Sequence, residues 1–266
     1  SYQAGAWGSN NQESSILELN YVNVLSNSGP ITISGARVSG TGNHSVRFNT
    51  RGTTQTNNIG ASTAAISTGF TAYPTINITS STSDVSITGD SQVLCSAYLR
   101  NTGNLVMQPY AANFDRAQYF STDWCAYFPA TYASVRIGKA GTNNFGSNQS
   151  SADVYLDKFA STGDISVYGG TVNLKGGLTT SATSGNGILV KATGDIIGTS
   201  GASNTAHNAV SVTGTNSTAP VTLWSNADYS GTGSITIPYY FDVIAQAGNI
   251  TIGGAASATE SSPTGY

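Results

Sequence analysis

Residues 161–177, STGDISVYGGTVNLKGG, determine the fold that the sequence predicts. The stretch holds two apolar–polar–apolar triplets, Ile165-Ser166-Val167 and Val172-Asn173-Leu174, with glycines before, between and after them. Successive side chains of a β-strand point to opposite faces, so each triplet places two side chains on one face and one on the other. Strands this short are marginal as isolated sheets. The stretch therefore predicts short strands that stack on further copies of the same unit.

The turns before the strands also recur. A glycine and a short polar residue precede an isoleucine at four places: Gly163-Asp164-Ile165, Gly194-Asp195-Ile196, Gly233-Ser234-Ile235 and Gly248-Asn249-Ile250. Glycine supplies a positive φ, and Asp, Asn or Ser closes the corner by hydrogen bonding to its own backbone. We therefore expect Asp164 and Asp195 to be corner residues rather than catalytic ones.

The spacing of the strands favours a solenoid. Two series of strand residues recur every 22–25 residues: Ile165, Ile188, Val210 and Ile235, and Val172, Ile196, Val221 and Val243. Such a period is typical of a coil with several strands per turn. A sandwich or jelly roll, the alternative, would show strands every 8–12 residues without the longer period. The sequence predicts an all-β solenoid over residues 1–256, a polar tail over 257–266, and core rows that include the four residues of the first series.

Composition supports an all-β chain and excludes several partners. Gly, Ser, Thr and Asn make up nearly half of the 266 residues, and only 9% are charged. A hydrophobic content of 38% with a net charge of −3 argues against disorder, and the scarcity of Glu, Lys and Met argues against helices. No basic cluster suits nucleic acid or a membrane surface, and no apolar run of about 18 residues suits a membrane span. This composition is typical of a secreted bacterial surface protein.

Four segments carry a family resemblance: STGDISVYGGTVNLKGG (161–177), ILVKATGDIIGTSGAS (188–203), APVTLWSNADYSGTGSITI (219–237) and VIAQAGNITIGGAA (243–256). They resemble the repeats of large bacterial exoproteins of the filamentous-haemagglutinin type. The resemblance covers residues 161–256 well and residues 1–97 loosely. It implies a right-handed parallel β-helix, secretion to the cell surface, and a role in adhesion or in an extracellular matrix.

Residues 98–132 break the repeat pattern. Nine of the 25 aromatic residues lie there, which predicts an aromatic-rich insertion packed on the flank of the solenoid, with a short helix over 110–120. One interpretation is a surface that binds carbohydrate or protein, because rings stack on sugar faces and carboxylates bind hydroxyl groups. Its candidate residues are Tyr119, Trp124, Tyr127, Asp115 and Asp123. The other interpretation is that the rings form a small core of the insertion itself.

The two cysteines, Cys95 and Cys125, flank this segment. Two cysteines in a secreted chain predict one disulfide, which would stabilise the fold by roughly 3–4 kcal/mol in the chain-entropy model. Two buried thiols and a disulfide between subunits are the alternatives. His44 and His207 are far apart in the sequence and far from a cysteine pair, so we expect no metal site and no cofactor.

These features predict a non-enzymatic extracellular adhesin or surface-structure segment of a bacterium. Its partner would be a surface glycan or a protein of a host or neighbouring cell. The first alternative is a subunit that self-assembles end to end into an extracellular filament or matrix fibre, because uncapped solenoid ends expose strand edges. A lesser alternative is a polysaccharide-degrading β-helix enzyme, which needs two carboxylates about 5–10 Å apart. Asp164 and Asp195 would be its nearest candidates, and no nucleophile elbow or phosphate loop occurs.

Overall fold

A computed structural model describes the following residues: 15–20, 30–35, 44–49, 57–59, 76–80, 85–89, 92–94, 97–109, 114, 117–120, 126–128, 131–139, 152–229 and 233–255. Within these ranges the chain forms 25 strands and no helix. Every strand-to-strand pairing is parallel. The polar tail predicted for residues 257–266 lies outside the described residues.

The strands form one long sheet and four shorter ones. Sheet 1 has eight strands: β2 (Ile31–Gly35), β6 (Val85–Gly89), β9 (Asn104–Gln108), β13 (Ser134–Ile137), β16 (Ile165–Gly169), β19 (Ile188–Ala192), β22 (Val221–Ser225) and β25 (Ile250–Gly254). Sheet 2 has five: β10 (Gln118–Phe120), β14 (Val154–Leu156), β17 (Val172–Leu174), β20 (Ile196–Gly198) and β23 (Ile235–Thr236). Sheet 3 also has five: β12 (Thr131–Tyr132), β15 (Phe159–Ser161), β18 (Leu178–Thr180), β21 (Asn208–Val212) and β24 (Phe241–Ile244).

Earlier strands build the other two sheets. Sheet 4 contains β1 (Ser15–Asn20), β3 (His44–Asn49) and β7 (Gln92–Leu94), and sheet 5 contains β4 (Asn57–Ile59), β5 (Ile76–Ser80), β8 (Ala97–Asn101) and β11 (Ala126–Tyr127). From β13 onward the chain visits sheets 1, 2 and 3 in a fixed order and then returns to sheet 1. This repeated circuit of parallel strands is a β-helix, so the predicted solenoid is confirmed and a sandwich is not.

Residues of the same kind stack in register from coil to coil. In sheet 1 one inward row runs through Val135, Ile165, Ile188, Val221 and Ile250. Its members Val135, Ile165, Ile188 and Val221 are at most 1% exposed. Each buried aliphatic side chain removes its surface from water, which is the main stabilising contribution of a core. The apolar triplets of the sequence thus become continuous core rows.

The spacing used to predict the rows was only partly correct. Ile165, Ile188 and Val210 are buried in the core and Ile235 packs against it, as expected. The four do not form one row, however, because Val210 pairs with Leu178 in sheet 3 and Ile235 pairs with Ile196 in sheet 2. The successive coils differ in length at their corners, so an even period of 22–25 residues mixes residues from different sheets.

The described part of the aromatic segment 98–132 differs from the predicted insertion. It contributes strands to the sheets, and Phe114, Phe120 and Tyr132 are at most 1% exposed within the main core. The Tyr132 hydroxyl donates to the Leu99 carbonyl oxygen at 2.7 Å, which satisfies its polar end. The expected helix over 110–120 is wrong at its C-terminal end, where Gln118–Phe120 is strand β10. Large rings are therefore accommodated inside the coils.

The two ends of sheet 1 differ in exposure. In β2, the first strand, Ile31 and Ile33 are 4% and 6% exposed. In β25, the last strand, Ile250 and Ile252 are 46% and 38% exposed. Inward side chains are thus shielded at one end of the sheet and open to solvent at the other.

Candidate ligand-binding surface

The outward side chains of sheet 2 form a row on the surface of the solenoid. In register, the row contains Tyr119, Tyr155, Asn173, Ile197 and Thr236. The first four are the middle residues of three-residue strands whose flanking residues are buried, so strand alternation directs them outward. This arrangement places two tyrosines side by side at the start of the row.

Tyr119 and Tyr155, the tyrosine pair, are stacked. Their ring centroids are 4.6 Å apart and the rings are inclined by only 12°. This separation matches the spacing of neighbouring strands, about 4.8 Å, so the strand pairing itself holds the rings in contact. Asn173 follows Tyr155 in the row and carries no ring. One face of Tyr155 therefore lies against Tyr119, whereas the other faces a shorter, polar neighbour.

Charged groups surround the tyrosine pair. Burial raises the pKa of the Tyr155 hydroxyl, and the negative charge of Asp153 and the neighbouring Tyr119 raise it further, while Lys175 lowers it. A phenol with a raised pKa remains protonated at neutral pH and can donate a hydrogen bond. Asp153 is fixed in place because its Oδ1 accepts the Thr171 N–H at 3.0 Å. The surface thus combines a ring, a hydroxyl donor and charges of both signs.

Asn173 adds a side-chain amide that lacks a hydrogen-bond acceptor for its Nδ2 among the described residues. The Nδ2 atom is buried. Buried amide donors in folded proteins usually have an acceptor, so this one is an exception beside the tyrosine pair. The amide lies directly beside Tyr155 in the row, on the side away from Tyr119.

Only one of the five predicted site residues can be placed with its side chain. Tyr119 is partly exposed and belongs to the tyrosine pair. Tyr127 lies in β11, where it pairs in register with Tyr98. Trp124, Asp115 and Asp123 lie outside the described residues, as do Cys95 and Cys125, so the disulfide stays a prediction. The sequence reasoning missed Tyr155, although its central position in Val154-Tyr155-Leu156 indicates an outward ring.

A second outward row, on sheet 1, is covered. Tyr168, Lys191 and Trp224 are in register, and the Lys191 Nζ lies 4.0 Å from the centre of the Trp224 ring. The turn after β22 lies against the preceding coil. It is held there because the Ala227 N–H donates to the Ala192 carbonyl oxygen at 2.9 Å. Lys191 is 6% exposed and Trp224 is 3% exposed. Burial lowers the pKa of Lys191 to about 8. This row supplies structure rather than an accessible site.

Asp164 and Asp195 lie at corners as predicted, but each binds the following coil rather than its own turn, and the glycines that precede them have no positive φ. Asp164 Oδ1 accepts the Gly187 N–H at 2.9 Å from the next coil. Asp195 Oδ1 accepts the Ser234 N–H at 2.7 Å and its hydroxyl at 2.9 Å. Both carboxylates therefore hold the corner of one coil to the corner of the following coil.

A smaller polar cluster lies at a corner of the last coil. Nδ1 of His207 is 3.0 and 2.9 Å from the two carboxylate oxygens of Asp242. The His207 and Tyr240 ring centroids are 5.4 Å apart, and the neighbouring Tyr239 is 85% exposed. Both side chains of the ion pair are more than a third exposed, so solvent screens it. No pattern in the sequence predicts this pairing of residues 35 positions apart.

Neither a metal site, a membrane-spanning helix nor a similar known protein was found for the described residues or the chain. Within the described ranges, no three or more His, Cys, Asp or Glu side chains are grouped as a metal site. The same residues contain no helix of the length and hydropathy that a membrane crossing requires. No protein-family model, curated protein or solved structure matches the chain. The resemblance to filamentous-haemagglutinin-type exoproteins therefore remains a prediction.

Proposed function

We propose that this chain is a non-enzymatic segment of an extracellular bacterial adhesin or surface structure that binds a glycan at the tyrosine pair. The stacked Tyr119 and Tyr155 rings beside Asn173 are the observation that carries the proposal. A sugar ring stacks through its C–H groups on an aromatic face, and its hydroxyl groups bind nearby donors and carboxylates. The free side of Tyr155 offers such a face, with Asn173, Asp153 and Lys175 around it.

A rigid solenoid suits this function because the site needs no folding on binding. Backbone pairing with β10 and β17 fixes Tyr155 on both sides of its strand. Ordering a loop would add an entropic cost that a preformed surface avoids. The low charge of the chain and its richness in Ser, Thr, Asn and Gly support an extracellular location.

A glycan array with the purified chain tests this proposal. We expect binding to at least one glycan class, and Tyr155→Ala to weaken it at least about tenfold, which corresponds to 1.4 kcal/mol. Asn173→Tyr should also abolish binding, because a third ring would fill the place where the sugar stacks. Tyr239→Ala removes a more exposed tyrosine of the last coil, away from the tyrosine pair, and is the control. Binding that survives both Tyr155→Ala and Asn173→Tyr would remove the site from consideration.

The filament subunit is the second candidate, and the exposed last strand of sheet 1 favours it. Head-to-tail growth also needs an open first strand, yet Ile31 and Ile33 are shielded. This difference between the ends weighs towards an adhesin segment. Electron microscopy of the purified chain distinguishes them, since regular fibres support the filament and discrete particles support the adhesin.

An enzymatic role has less support. Asp164 and Asp195, the carboxylates that the sequence offered for glycoside hydrolysis, each accept backbone hydrogen bonds at a corner. We therefore leave hydrolysis of a polysaccharide out of the proposal. Incubation of the chain with polysaccharides and detection of reducing ends tests this choice.

A further inference from the structure

The corner between β18 and β19 contains the only Asn-Gly dipeptide of the sequence, Asn186-Gly187. Asparagine followed by glycine is the dipeptide most prone to deamidation, because glycine has no side chain to hinder the attack of its nitrogen on the asparagine amide. Asn186 is exposed, whereas Gly187 is buried. Water therefore reaches the amide that would react, while the attacking nitrogen lies inside the corner.

The stacking of the coils requires a glycine at position 187. Its φ is +58°, in the left-handed region, and a Cβ would lie 2.1 Å from the Pro220 carbonyl oxygen of the next coil. Gly185 has a φ of +96°, and a Cβ there would lie 2.9 Å from Oδ1 of Asp164. A side chain at position 187, which would slow deamidation, is thus incompatible with this corner.

Asp164 of the preceding coil holds the nitrogen that would attack. Its Oδ1 accepts the Gly187 N–H at 2.9 Å, and the Ile165 N–H donates to the Gly187 carbonyl oxygen, also at 2.9 Å. Asp164 is in turn bonded to the coil before its own, since the Val135 N–H donates to its carbonyl oxygen at 3.0 Å. A hydrogen bond to a carboxylate is stronger than one between neutral groups. Both backbone polar groups of Gly187 are therefore fixed to the preceding coil.

We propose that Asn186 is a deamidation site whose rate is limited by the carboxylate of Asp164. In the reaction the Gly187 nitrogen loses its proton to water and bonds to Cγ of Asn186, and the side-chain nitrogen leaves as ammonia, which gives a cyclic succinimide. Water then opens the ring to aspartate or isoaspartate, so the net reaction consumes water and releases ammonia. Asp164 opposes the first step, because its hydrogen bond keeps the proton on the nitrogen and its negative charge disfavours the nitrogen anion.

The modification would act on the stack of coils. Isoaspartate routes the main chain through the former side-chain carbon and so lengthens it beside Gly187, where two coils are bonded to each other. Conversion would therefore weaken the contact between these coils. The site does not depend on the proposed glycan site, which lies on sheet 2.

Storage of the purified whole chain at mildly alkaline pH tests the proposal, with peptide mapping that separates asparagine, aspartate and isoaspartate at position 186. Asp164→Ala should deamidate at least about tenfold faster than the unmutated chain, because the hydrogen bond to the carboxylate no longer has to break. Asp164→Asn keeps an acceptor oxygen without the charge, so its rate should lie between the two. Asp195→Ala is the control, since it removes another corner carboxylate, which bonds Ser234 rather than Gly187.

Circular dichroism verifies that each variant is folded. A rate in folded Asp164→Ala that equals or falls below that of the unmutated chain overturns the proposal, because the carboxylate would then be inert or act as a base. An equal acceleration in Asp195→Ala overturns it as well, since general loosening of the coils would account for both. If Asp164→Ala does not fold, Asp164→Asn decides, and a rate equal to that of the unmutated chain contradicts the proposal.

Discussion

The coil that begins with β16 and the last coil are built from the same residue types but differ in burial. Ile165 and Val167 in β16 are fully buried, whereas Ile250 and Ile252 occupy the equivalent register positions in β25 and are more than a third exposed. The two strands share the apolar–polar–apolar pattern, but among the described residues β16 pairs with a strand on both sides and β25 with a strand on one side. The same strand pattern is therefore buried or exposed according to what lies beside the strand, and not according to its own sequence.

The difference in burial predicts how much a substitution lowers the free energy of unfolding in each coil. Stability in repeat architectures is approximately a sum of terms for each repeat and for each interface between neighbours. A residue in an inner coil contributes to two interfaces and a residue in the last coil to one. The same substitution should therefore cost more in β19 or its corners than in β25.

The largest difference in the free energy of unfolding should separate Gly187→Ala from Gly254→Ala. Gly187 has a φ of +58°, and a Cβ there would lie 2.1 Å from the Pro220 carbonyl oxygen in the next coil. Left-handed strain costs about 1–2 kcal/mol, and the neighbouring backbone would have to move as well. We expect Gly187→Ala to lower the free energy of unfolding by about 4 kcal/mol or more.

Gly254→Ala is the control in the last coil. A Cβ at Gly254 meets no atom closer than the Ser225 carbonyl oxygen at 3.6 Å, so the change should stay within about 0.5 kcal/mol. Urea denaturation of both variants provides the measurement. Equal losses at the two positions would show that the contrast between inner and last coil is wrong.

A smaller difference should separate two isoleucines of one row. Ile188 is 0% exposed and Ile250 is 46% exposed. Ile188→Ala should cost about 3 kcal/mol through lost burial and a cavity, and Ile250→Ala about 1 kcal/mol. Urea denaturation of both variants provides the measurement. A cost for Ile250→Ala that equals that of Ile188→Ala would mean that β25 is covered after all.

The sequence predicted the fold from short local patterns. The apolar triplets and the Gly-Asp-Ile corners predict short strands joined by turns, because alternation and turn chemistry act within a few residues. The spacing of 22–25 residues then favours a solenoid over a sandwich. The register between strands of successive coils could not be predicted from the spacing. Corners of unequal length place Val210 and Ile235 in sheets other than that of Ile165. Residue counting cannot reveal which of three sheets a triplet joins.

The sequence predicts an aromatic surface site but identifies only some of its residues. The concentration of rings over 98–132 pointed to Tyr119, whereas its partner Tyr155 lies outside that segment. Phe114, Phe120 and Tyr132 are core residues instead. Ring content does not distinguish inward from outward positions, but position within a triplet does. Tyr119 in Gln118-Tyr119-Phe120 and Tyr155 in Val154-Tyr155-Leu156 are both central.

A further prediction concerns an outward residue that the next coil covers. Lys191 lies against Trp224 of that coil, and burial lowers its pKa from 10.5 to about 8. Between these two pH values the unfolded chain binds the proton and the folded chain does not, so the free energy of unfolding rises with pH. Below pH 8, burial of the charged Lys191 lowers the free energy of unfolding by its full amount. As the pH rises to 10.5 this penalty is relieved, and the free energy of unfolding rises by at most about 3 kcal/mol.

Lys191→Met tests this effect because methionine keeps a similar length without the charge. The variant should be more stable than the unmodified chain at pH 7, by about 1–3 kcal/mol, and the difference should shrink between pH 8 and 10.5. Lys158→Met is the control, since Lys158 is exposed and no coil covers it. Tyrosine ionisation at high pH affects all three proteins alike, so the differences between their urea midpoints isolate the lysine. A pH-independent difference for Lys191→Met would show that the coil above Lys191 does not desolvate its charge, and that coverage by the next coil reaches only the inward rows.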